Sequence, residues 1–419
     1  MRTVSKTVIG VDFGTQSARA VLVNTENGKI LYSCRREYPR SSTPVPAIDC
    51  AENLPCATNY EMTLYSLLCH VVPEDYRKTV AGICVDATSL TMILLAKDGR
   101  ALSELDGWSE VAHARVKLWK YHRAQEQANE ALALAKDLKE PFLERTGGSI
   151  SGEWMLPKLL EVRDEAPEIY SKIDLAMDLC EFLTYRLTGQ LVRSIGSLSY
   201  KCLWAEDFGF PEQTFLNGLR TGFYEEYCHF LRGDVRKPGE CAGMLQSELA
   251  KRWGLPEQIP VATGVLDGHT SLATMGAFEP GDAALIVGTS NVCTVQDRKL
   301  QELKDVCGVA QDGMVTGSCG IDTGQSSTGN MLGWYIEHMA GWQIHREAEE
   351  RKISPHQVLA ERIQKPWENK VIAVDWWSGS RNAPCDLTLR GCMSGLEMDT
   401  RTEDIYLALL QAIACGTGT

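Results

Sequence analysis

The chain has 419 residues, of which 44% are hydrophobic and 23% are charged, and its net charge is −13. This length exceeds one typical core and this composition is that of a globular protein, so two domains are expected. The acidic balance argues against non-specific binding to nucleic acid or to an anionic membrane surface. No apolar run approaches the ~20 residues that cross a bilayer. Neither nucleic acid nor membrane is therefore expected as a partner.

The cysteines indicate the compartment. Fifteen of them are dispersed along the chain, and none forms a CxxC pair. An odd, scattered set indicates reduced thiols rather than a disulfide framework. The start of the chain, Met1 to Thr7, is polar and leads directly into an apolar run, which is not the pattern of a signal peptide. We therefore expect a cytoplasmic protein.

The first motif is IGVDFGTQSARAVLVN, Ile9–Asn24. Its apolar start predicts a buried strand, and the alternating run Ala18–Val23 predicts a second strand. The turn region between them contains a carboxylate, a glycine and two polar residues: Asp12, Gly14, Thr15 and Gln16. A glycine lets backbone approach a ligand, successive N–H groups bind anions, and a carboxylate can hold hydrated Mg²⁺. On its own, the motif fits an ordinary hairpin with a surface aspartate equally well.

Strands predominate at first, and helical patterns begin near His113. Val80–Val85 is a predicted strand that leads into Asp86-Ala87-Thr88-Ser89. Ala114–Lys136 is rich in strong helix formers and predicts a long helix. Pro167–Thr188 predicts another helix, which a glycine ends. The pattern is not that of a GxGxxG dinucleotide-binding fold, and no GxxxxGK[ST] loop occurs in the chain.

A second strand–turn–strand unit begins after Gly276. Ala283–Val287 and Val292–Val295 are predicted strands, and Gly288-Thr289-Ser290 joins them. The unit has the same arrangement as the N-terminal motif, although the similarity is too short to count as a sequence repeat. We interpret it as a candidate second phosphate-binding turn. The polar, glycine-rich stretch Gly317–Gly329 predicts a loop.

Together, these motifs resemble those of the FGGY carbohydrate kinases. GVDFGTQSARAVLV resembles the first phosphate motif of the actin-like ATPase superfamily, and GVLDGHTSLATMGAFEPGDAALIVGTSN resembles the segment from the family's catalytic aspartate to its second phosphate motif. Four further stretches resemble the branch of the family that phosphorylates ribulose: CVDATS (Cys84–Ser89), GGSISGEWMLPKLLEV (Gly147–Val162), SYKCLW (Ser199–Trp204) and VDWWSGSRN (Val374–Asn382). Typical members continue well beyond the last helix predicted here, so an incomplete second domain with weakened nucleotide binding is expected.

The resemblance implies an α/β protein of two domains, with the actin-like ATPase (ribonuclease H-like) core in each half. Residues 1–272 would form the N-terminal domain, with the sugar site and the first phosphate motif, and residues 273–419 the C-terminal domain, with the second. The implied reaction is the phosphorylation of a ketopentose by ATP with Mg²⁺, most of all L-ribulose to L-ribulose 5-phosphate. The alternatives are a kinase for xylulose, glycerol or another polyol, and an inactive sugar-binding remnant. A homodimer is one possible assembly.

The resemblance also assigns residues to the reaction. Asp267 is the expected general base, because a carboxylate near a sugar hydroxyl can accept its proton during phosphoryl transfer. The alternative is a turn aspartate that caps the helix beginning at His269. Asp12 is assigned to Mg²⁺, directly or through water. The two turns are assigned to the phosphates: Gly14, Thr15, Gln16, Gly288, Thr289 and Ser290.

Further residues are assigned to the sugar, beside Asp267. Lys201 is flanked by aromatic residues and is expected to donate to sugar oxygens, although most lysines are simply exposed. Ala87 is expected to contact the sugar through its backbone. Asp322 is expected to accept from sugar hydroxyls, at a position where members of the ribulose-phosphorylating branch resemble one another in carrying glutamate. Trp119 is the tryptophan expected near the sugar, whereas tryptophans more often fill a core.

Overall fold

The computed structural model describes residues 5–38, 54–364, 368–381, 386 and 388–418. Its strands are β1 (Thr7–Phe13), β2 (Ser17–Asn24), β3 (Ile30–Glu37), β4 (Val80–Ala87), β5 (Met92–Leu95), β6 (Leu175–Asp178), β7 (Val192–Ser194), β8 (Asp234–Arg236), β9 (Cys241–Met244), β10 (Pro260–Ala262), β11 (Val265–Leu266), β12 (Ala283–Val287), β13 (Asn291–Asp297), β14 (Gly308–Gln311), β15 (Cys319–Gln325), β16 (Ile372–Ala373) and β17 (Met393–Ser394).

The helices of the described residues are α1 (Ala57–Val71), α2 (Gln125–Leu138), α3 (Met155–Glu165), α4 (Pro167–Tyr170), α5 (Leu179–Thr188), α6 (Ile195–Lys201), α7 (Gln213–Leu219), α8 (Phe223–Phe230), α9 (Ser247–Trp253), α10 (Asp267–Met275), α11 (Gly329–His338), α12 (Trp342–Arg351), α13 (Pro355–Arg362) and α14 (Thr402–Gly418). In this part of the chain, no helix is long and apolar enough to cross a membrane.

The first sheet positions the ends of three strands side by side. Within the described ranges it has seven strands in the order β3-β2-β1-β4-β10-β9, with β11 also paired to β4. β1 runs parallel to β4, with Asp12 opposite Asp86. β11 runs parallel to β4 as well, with Val265 opposite Asp86 and Leu266 opposite Ala87. Because parallel strands end at the same edge of a sheet, the residues after β1, β4 and β11 come together there.

A buried carboxylate fixes the chain beside this edge. Asp178, at the end of β6, caps α5 by accepting the N–H of Leu179 at 2.7 Å. It also accepts the N–H of Leu90 at 3.0 Å and the hydroxyl of Ser197 at 2.8 Å. Leu90 follows β4, and Ser197 lies in α6, which ends at Lys201. One carboxylate thus holds both segments in place.

The second sheet carries the other turn. Its order is β12-β13-β15-β14 in the described residues, and all of its pairs are antiparallel. The β12–β13 hairpin closes around 288–290, with Val287 opposite Asn291. α10 packs on this sheet through Leu272, which contacts the cluster around Ala284. The two sheets and their helices make the mixed α/β, two-domain fold that the sequence predicted.

The long helix predicted over Ala114–Lys136 was wrong at its start. The helix begins at Gln125, and Lys117 instead forms an antiparallel bridge with Met92. Lys117 is fully buried, and its Nζ lies 3.0 Å from Glu161. Helix propensity is a weak preference that this buried ion pair and strand pairing override.

The helix predicted over Pro167–Thr188 was also wrong in extent. The run Leu175–Asp178 is a strand, completely buried, that pairs antiparallel with β5. Only the last part of the predicted segment, Leu179–Thr188, forms the helix α5. This helix ends as predicted, because Gly189 takes the left-handed conformation with φ 71°. The apolar part of this run, Leu175–Met177, is too short to be assigned to helix or strand by its periodicity alone.

The loop predicted over Gly317–Gly329 was wrong, because Cys319–Gln325 is an interior strand of the second sheet. Its polar residues are paired rather than solvated. Asp322 lies opposite Thr294 in the neighbouring strand. The backbone carbonyl of Gly320 accepts the hydroxyl of Tyr200 at 2.7 Å. Glycine is needed at 320 because a Cβ there would lie 2.6 Å from that same hydroxyl oxygen.

Candidate active site

A cavity of about 770 Å³ opens where β1, β4 and β11 end, and residues of both sheets line it. Its walls contain most of the residues that the sequence assigned to a site: Asp12, Gly14, Thr15, Trp119, Lys201, Asp267, Gly288, Thr289, Ser290 and Asp322. The fold therefore brings these residues together from positions far apart in the chain.

The first turn is held in a fixed shape on one wall. The N–H of Gly14 donates to the carbonyl of Ser17 at 3.2 Å, which closes the β1–β2 hairpin. Tyr38 donates its hydroxyl to the carbonyl of Gly14 at 2.7 Å. Thr15 lines the cavity, whereas Gln16 is exposed and lies outside the lining that the structure describes.

The second turn is braced from behind by the start of α11. The N–H of Gly288 donates to the carbonyl of Ser290 at 3.1 Å, and the N–H of Gly329 donates to the carbonyl of Gly288 at 3.0 Å. A Cβ at position 329 would lie 2.5 Å from that carbonyl oxygen, so only glycine allows this approach. Thr328 adds a bond from its hydroxyl to Gly288 at 3.0 Å. Gly288, Thr289 and Ser290 remain on the cavity wall.

Three carboxylates meet at the edge of the first sheet. Asp12 and Asp86 are neighbours across β1 and β4, and Asp267 follows β11 directly. All three line the cavity. Arg19 is the nearest cation to Asp12 in the described residues, with 3.5 Å between Nη1 and Oδ2. The site thus concentrates negative charge that a metal ion or a proton must balance.

The pKa values of two of these groups reflect that crowding. Burial, together with the charges of Asp12 and Asp267, raises the pKa of Asp86 to about 8. Burial is also the main reason that the pKa of Asp267 lies above its usual value. A carboxyl group with a raised pKa accepts a proton more readily, as a general base near neutral pH must.

Asp267 is the first residue of α10, and its local bonds orient it. Its Oδ1 accepts the N–H of Gly268 at 2.7 Å, and the N–H of Ser89 also donates to the carboxylate. The neighbouring Gly264 packs against the carbonyl of Cys180, where a Cβ would lie 2.5 Å from the oxygen. The helix begins at Asp267 itself and not at His269, its N-cap residue is Leu266, and no side-chain hydrogen bond caps it. The alternative of a turn aspartate that caps a helix beginning at His269 was therefore wrong, and the Asp267 carboxylate lines the cavity.

Lys201 and Asp322 form an ion pair on the wall of the cavity. Lys201 Nζ lies 3.1 Å from Asp322 Oδ2, and His269 Nε2 lies 3.8 Å from the same oxygen. Burial would raise the pKa of Asp322, but Lys201 and His269 outweigh it and hold this pKa well below its usual value. For Lys201, burial would lower the pKa, and Asp322 outweighs that effect and raises it. Both groups therefore stay charged at neutral pH.

Trp119 is half-buried on the cavity wall, not in a core. Its indole Nε1 donates to Thr15 Oγ1 at 3.1 Å, which joins it to the first turn. The side chain of Ala87 is completely buried, and the cavity beside it is lined by Thr88 and Ser89. A backbone contact of Ala87 with a sugar stays a prediction.

The cavity residues that were not identified from the sequence include Asp86, Glu153 and Arg381. Asp86 follows a buried strand, as Asp12 and Asp267 do, so the same signal could have found it. Glu153 and Arg381 form an ion pair across 228 residues of chain. No local pattern marks either of them.

The donor set fits a hydrated Mg²⁺ bound together with a phosphate group. Mg²⁺ takes oxygen ligands, usually one or two carboxylates with waters and substrate phosphates, and rarely a full protein cage. Asp12 and Asp86 supply two neighbouring carboxylates. Among the described residues, no three His, Cys, Asp or Glu side chains form a metal-binding group of their own. The backbone of the turns at 14–16 and 288–290 suits phosphate oxygens.

Two sheets that each present a glycine turn to a shared cavity lined by carboxylates define a two-domain kinase of the actin-like ATPase class. Comparison with known families agrees. The profile for the N-terminal domain of the FGGY family of carbohydrate kinases matches residues 7–274, and the profile for its C-terminal domain matches residues 283–418. The chain belongs to the FGGY family of carbohydrate kinases, and it is accordingly a sugar kinase, a transferase.

Among curated proteins, a ribulokinase of Halalkalibacterium halodurans is 33% identical over 99% of this chain and 75% of its own length. A ribulokinase of Mycolicibacterium smegmatis is 35% identical over 98% of this chain and 75% of its own length. Among solved structures, ligand-bound xylulose kinase from Lactobacillus acidophilus has a TM-score of 0.77 at 17% identity, covering 98% of this chain and 77% of that one. Plasmodium falciparum glycerol kinase with ADP has a TM-score of 0.74 at 16% identity, covering 99% and 77%. These structures establish the fold.

Proposed function

We propose that this chain transfers the terminal phosphoryl group of ATP to a ketopentose, L-ribulose above all, at its terminal hydroxyl, giving L-ribulose 5-phosphate. The observation that carries the proposal is the position of Asp267, a buried carboxylate in the same cavity as the Lys201–Asp322 pair and both glycine turns. The curated relatives named ribulokinase, at 33% and 35% identity, support L-ribulose as the acceptor.

In this proposal Asp267 is the general base. Its carboxylate accepts the proton of the sugar hydroxyl while the hydroxyl oxygen forms a bond to the terminal phosphorus, and the bond from that phosphorus to the leaving ADP oxygen breaks. Lys201 donates to sugar oxygens and Asp322 accepts from sugar hydroxyls, which orients the acceptor. Trp119 and the backbone of Ala87 complete the proposed sugar contacts.

The phosphates are assigned to the two turns: Gly14, Thr15, Gln16, Gly288, Thr289 and Ser290. Asp12 would hold Mg²⁺, with Asp86 beside it, and the ion would neutralise charge on the phosphates. Closure of the cavity would exclude water, so that the phosphoryl group passes to the sugar and not to solvent. We also propose that the two domains meet near residues 272 and 273, a boundary that the family profiles, 7–274 and 283–418, support.

A sugar-dependent ADP-release assay tests the proposal. The panel should contain L-ribulose, D-ribulose, D-xylulose and glycerol, because the wider family resemblance includes kinases for the last two. We expect the highest kcat/KM for L-ribulose and a monophosphate ester as the product, detected by ³¹P nuclear magnetic resonance. A higher kcat/KM for D-xylulose or glycerol than for L-ribulose would identify that compound as the acceptor instead. The absence of ADP release with every sugar would overturn the proposed function.

A further inference from the structure

A second ion pair lines the cavity, in addition to the pair of Lys201 and Asp322. Arg381 donates from Nη2 to Oε1 of Glu153. Glu153 lies in the part of the chain matched by the N-terminal family profile, and Arg381 lies in the part matched by the C-terminal one. Both side chains line the cavity and are largely buried, with 14% of Glu153 and 18% of Arg381 exposed.

The surroundings keep this pair charged and oriented. Glu153 Oε1 also lies 2.9 Å from His122 Nε2. The guanidinium of Arg381 lies 5.8 Å from the ring centroid of Trp119, and Trp119 in turn donates to Thr15 in the first turn. The pair is therefore connected through aromatic surface to the wall that carries a proposed phosphate-binding turn.

The two ion pairs have opposite polarity. Lys201 brings a cation from the N-terminal half to the anion Asp322, whereas Arg381 brings a cation from the C-terminal half to the anion Glu153. Each cation also interacts electrostatically with the anion of the other pair. The charge of Glu153 favours the charged form of Lys201, and the charge of Asp322 favours the charged form of Arg381. One end of the cavity is thus lined by alternating donors and acceptors beside an indole ring.

We propose that Arg381 and Glu153 are a second sugar-recognition pair, which binds hydroxyl groups of the ketose and contributes to the choice among its stereoisomers. The inference rests on the proposed function, since it names further residues of that same site. A guanidinium supplies several donors and a carboxylate several acceptors, and a polyhydroxylated substrate needs both. The Trp119 ring offers the apolar surface that the C–H face of a sugar requires.

The alternative is that the pair only holds the two halves of the chain together. The molecule contains a matched control for this alternative. Lys237 Nζ lies 2.7 Å from Asp312 Oδ2, and this ion pair also joins the two halves. Neither residue is part of the described lining of the cavity. A change that merely loosens contact between the halves should act alike at both pairs.

The experiment compares Arg381→Gln, Glu153→Gln and Lys237→Gln with the parent chain by titration calorimetry with L-ribulose, in the absence of nucleotide. We expect the dissociation constant for L-ribulose to rise roughly 10- to 100-fold in the first two variants, the size expected for a lost hydrogen bond to a charged group. We expect less than a ~2-fold change in Lys237→Gln, whose side chain lies outside the described lining of the cavity.

A second readout separates recognition from structure. L-ribulose and L-xylulose differ in the orientation of one hydroxyl group. The ratio of the dissociation constant for L-xylulose to that for L-ribulose should fall toward one in Arg381→Gln and in Glu153→Gln. A change confined to folding would lower the amount of competent protein and leave this ratio unchanged. Glu153→Gln preserves the shape of the side chain, so it carries the test if Arg381→Gln does not fold.

Two results would overturn the inference alone: a parent-like affinity and ratio in Glu153→Gln, or an equal loss of affinity in Lys237→Gln. Both leave the proposed function intact, because the parent still binds a ketose. A parent chain that binds neither L-ribulose nor L-xylulose would instead remove the proposed function, and the recognition pair with it.

Discussion

Lys201 and Asp322 meet 3.1 Å apart, Nζ to Oδ2, although 121 residues separate them in sequence. Removing both charges from water costs free energy, so a buried ion pair is weak evidence for stability. We propose that its position on the wall of the cavity serves the recognition of a ligand. The pair presents a donor and an acceptor at one point, which is what adjacent hydroxyl groups of a sugar require.

We expect Lys201→Ala to weaken sugar binding by about 10- to 100-fold, because a hydrogen bond to a charged group contributes roughly 1.5–3 kcal/mol. Sugar-independent hydrolysis of ATP should change little, since Lys201 is assigned to the sugar and not to the phosphates. Calorimetric titration with L-ribulose measures the first quantity, and ADP release without sugar measures the second.

The single variant leaves Asp322 charged and buried without its lysine, which typically costs about 3–5 kcal/mol. The double variant Lys201→Ala with Asp322→Asn removes that unpaired charge and serves as the folding control. Its stability should recover toward that of the parent while its affinity for L-ribulose stays low. Parent-like affinity in the double variant would exclude both residues as sugar ligands.

Asp267→Asn should lower kcat by roughly 10²- to 10⁴-fold, the usual contribution of a general base. The amide has nearly the shape of the carboxylate but cannot accept the proton of the sugar hydroxyl. Binding of L-ribulose should remain within a few-fold of the parent, which calorimetry can verify. If kcat stays within ~10-fold of the parent, another group accepts the proton and the role of Asp267 is wrong.

Asp12→Asn should weaken the binding of a divalent cation by about 10-fold or more, since loss of a carboxylate near a metal usually has at least that effect. Electron paramagnetic resonance of Mn²⁺ in the presence of ADP measures this directly, without turnover. Arg19→Gln is the matched control, because Arg19 lies 3.5 Å from Asp12 and its removal leaves the carboxylate in place. Cation affinity should then be unchanged or tighter. An equal affinity for Mn²⁺ in Asp12→Asn and in the parent would show that Asp12 does not hold the metal ion.

The sequence was sufficient for the elements that rest on local pattern. The apolar run in β1, the alternation in β2 and the glycine between them are local, and both strands formed as expected. The same holds for the end of α5, where Gly189 adopts the left-handed conformation. Such features depend on a few neighbouring residues, so no distant contact can easily change them.

The sequence was insufficient where burial decided the structure. Residues 115–118 have helix-forming neighbours, yet the buried pair of Lys117 with Glu161 draws them into a strand-like segment. Strand β15 contains glycines and polar residues typical of a loop, and long-range pairing with β13 makes it the interior of a sheet. Neither partner is visible from the local sequence, because each lies far along the chain.

The candidate site divides in the same way. Asp12 and Asp267 each follow an apolar run, and this pattern marked them. Asp86 follows the run Val80–Val85 and could have been marked by the same rule. Glu153 and Arg381 can be recognised as a pair only from the fold, which brings the two charged side chains together at the wall of the cavity. Their charges alone are typical of any solvent-exposed surface.

We expect Glu153 to stabilise the folded protein near neutral pH and to lose this effect in acid. Burial alone would raise the pKa of Glu153, but Arg381 and His122 outweigh it and lower this pKa to about 2. In an unfolded chain, the pKa of glutamate is about 4.3. A carboxylate with a lower pKa in the folded state stabilises the folded protein above the unfolded-state pKa, and this contribution is lost as the pH falls through the folded-state pKa.

The window for this loss therefore runs from about pH 4.3 down to about pH 2. Within it, the parent should lose roughly 1.4 kcal/mol of unfolding free energy per pH unit because of Glu153, whereas Glu153→Gln has no such group to protonate. Urea unfolding of both proteins at pH 5, 4 and 3 measures the effect. The difference in unfolding free energy between parent and variant should be largest at pH 5 and should shrink toward pH 3. A difference that is constant over this range would show that Glu153 carries no depressed pKa, and that Arg381 and His122 do not stabilise its charge.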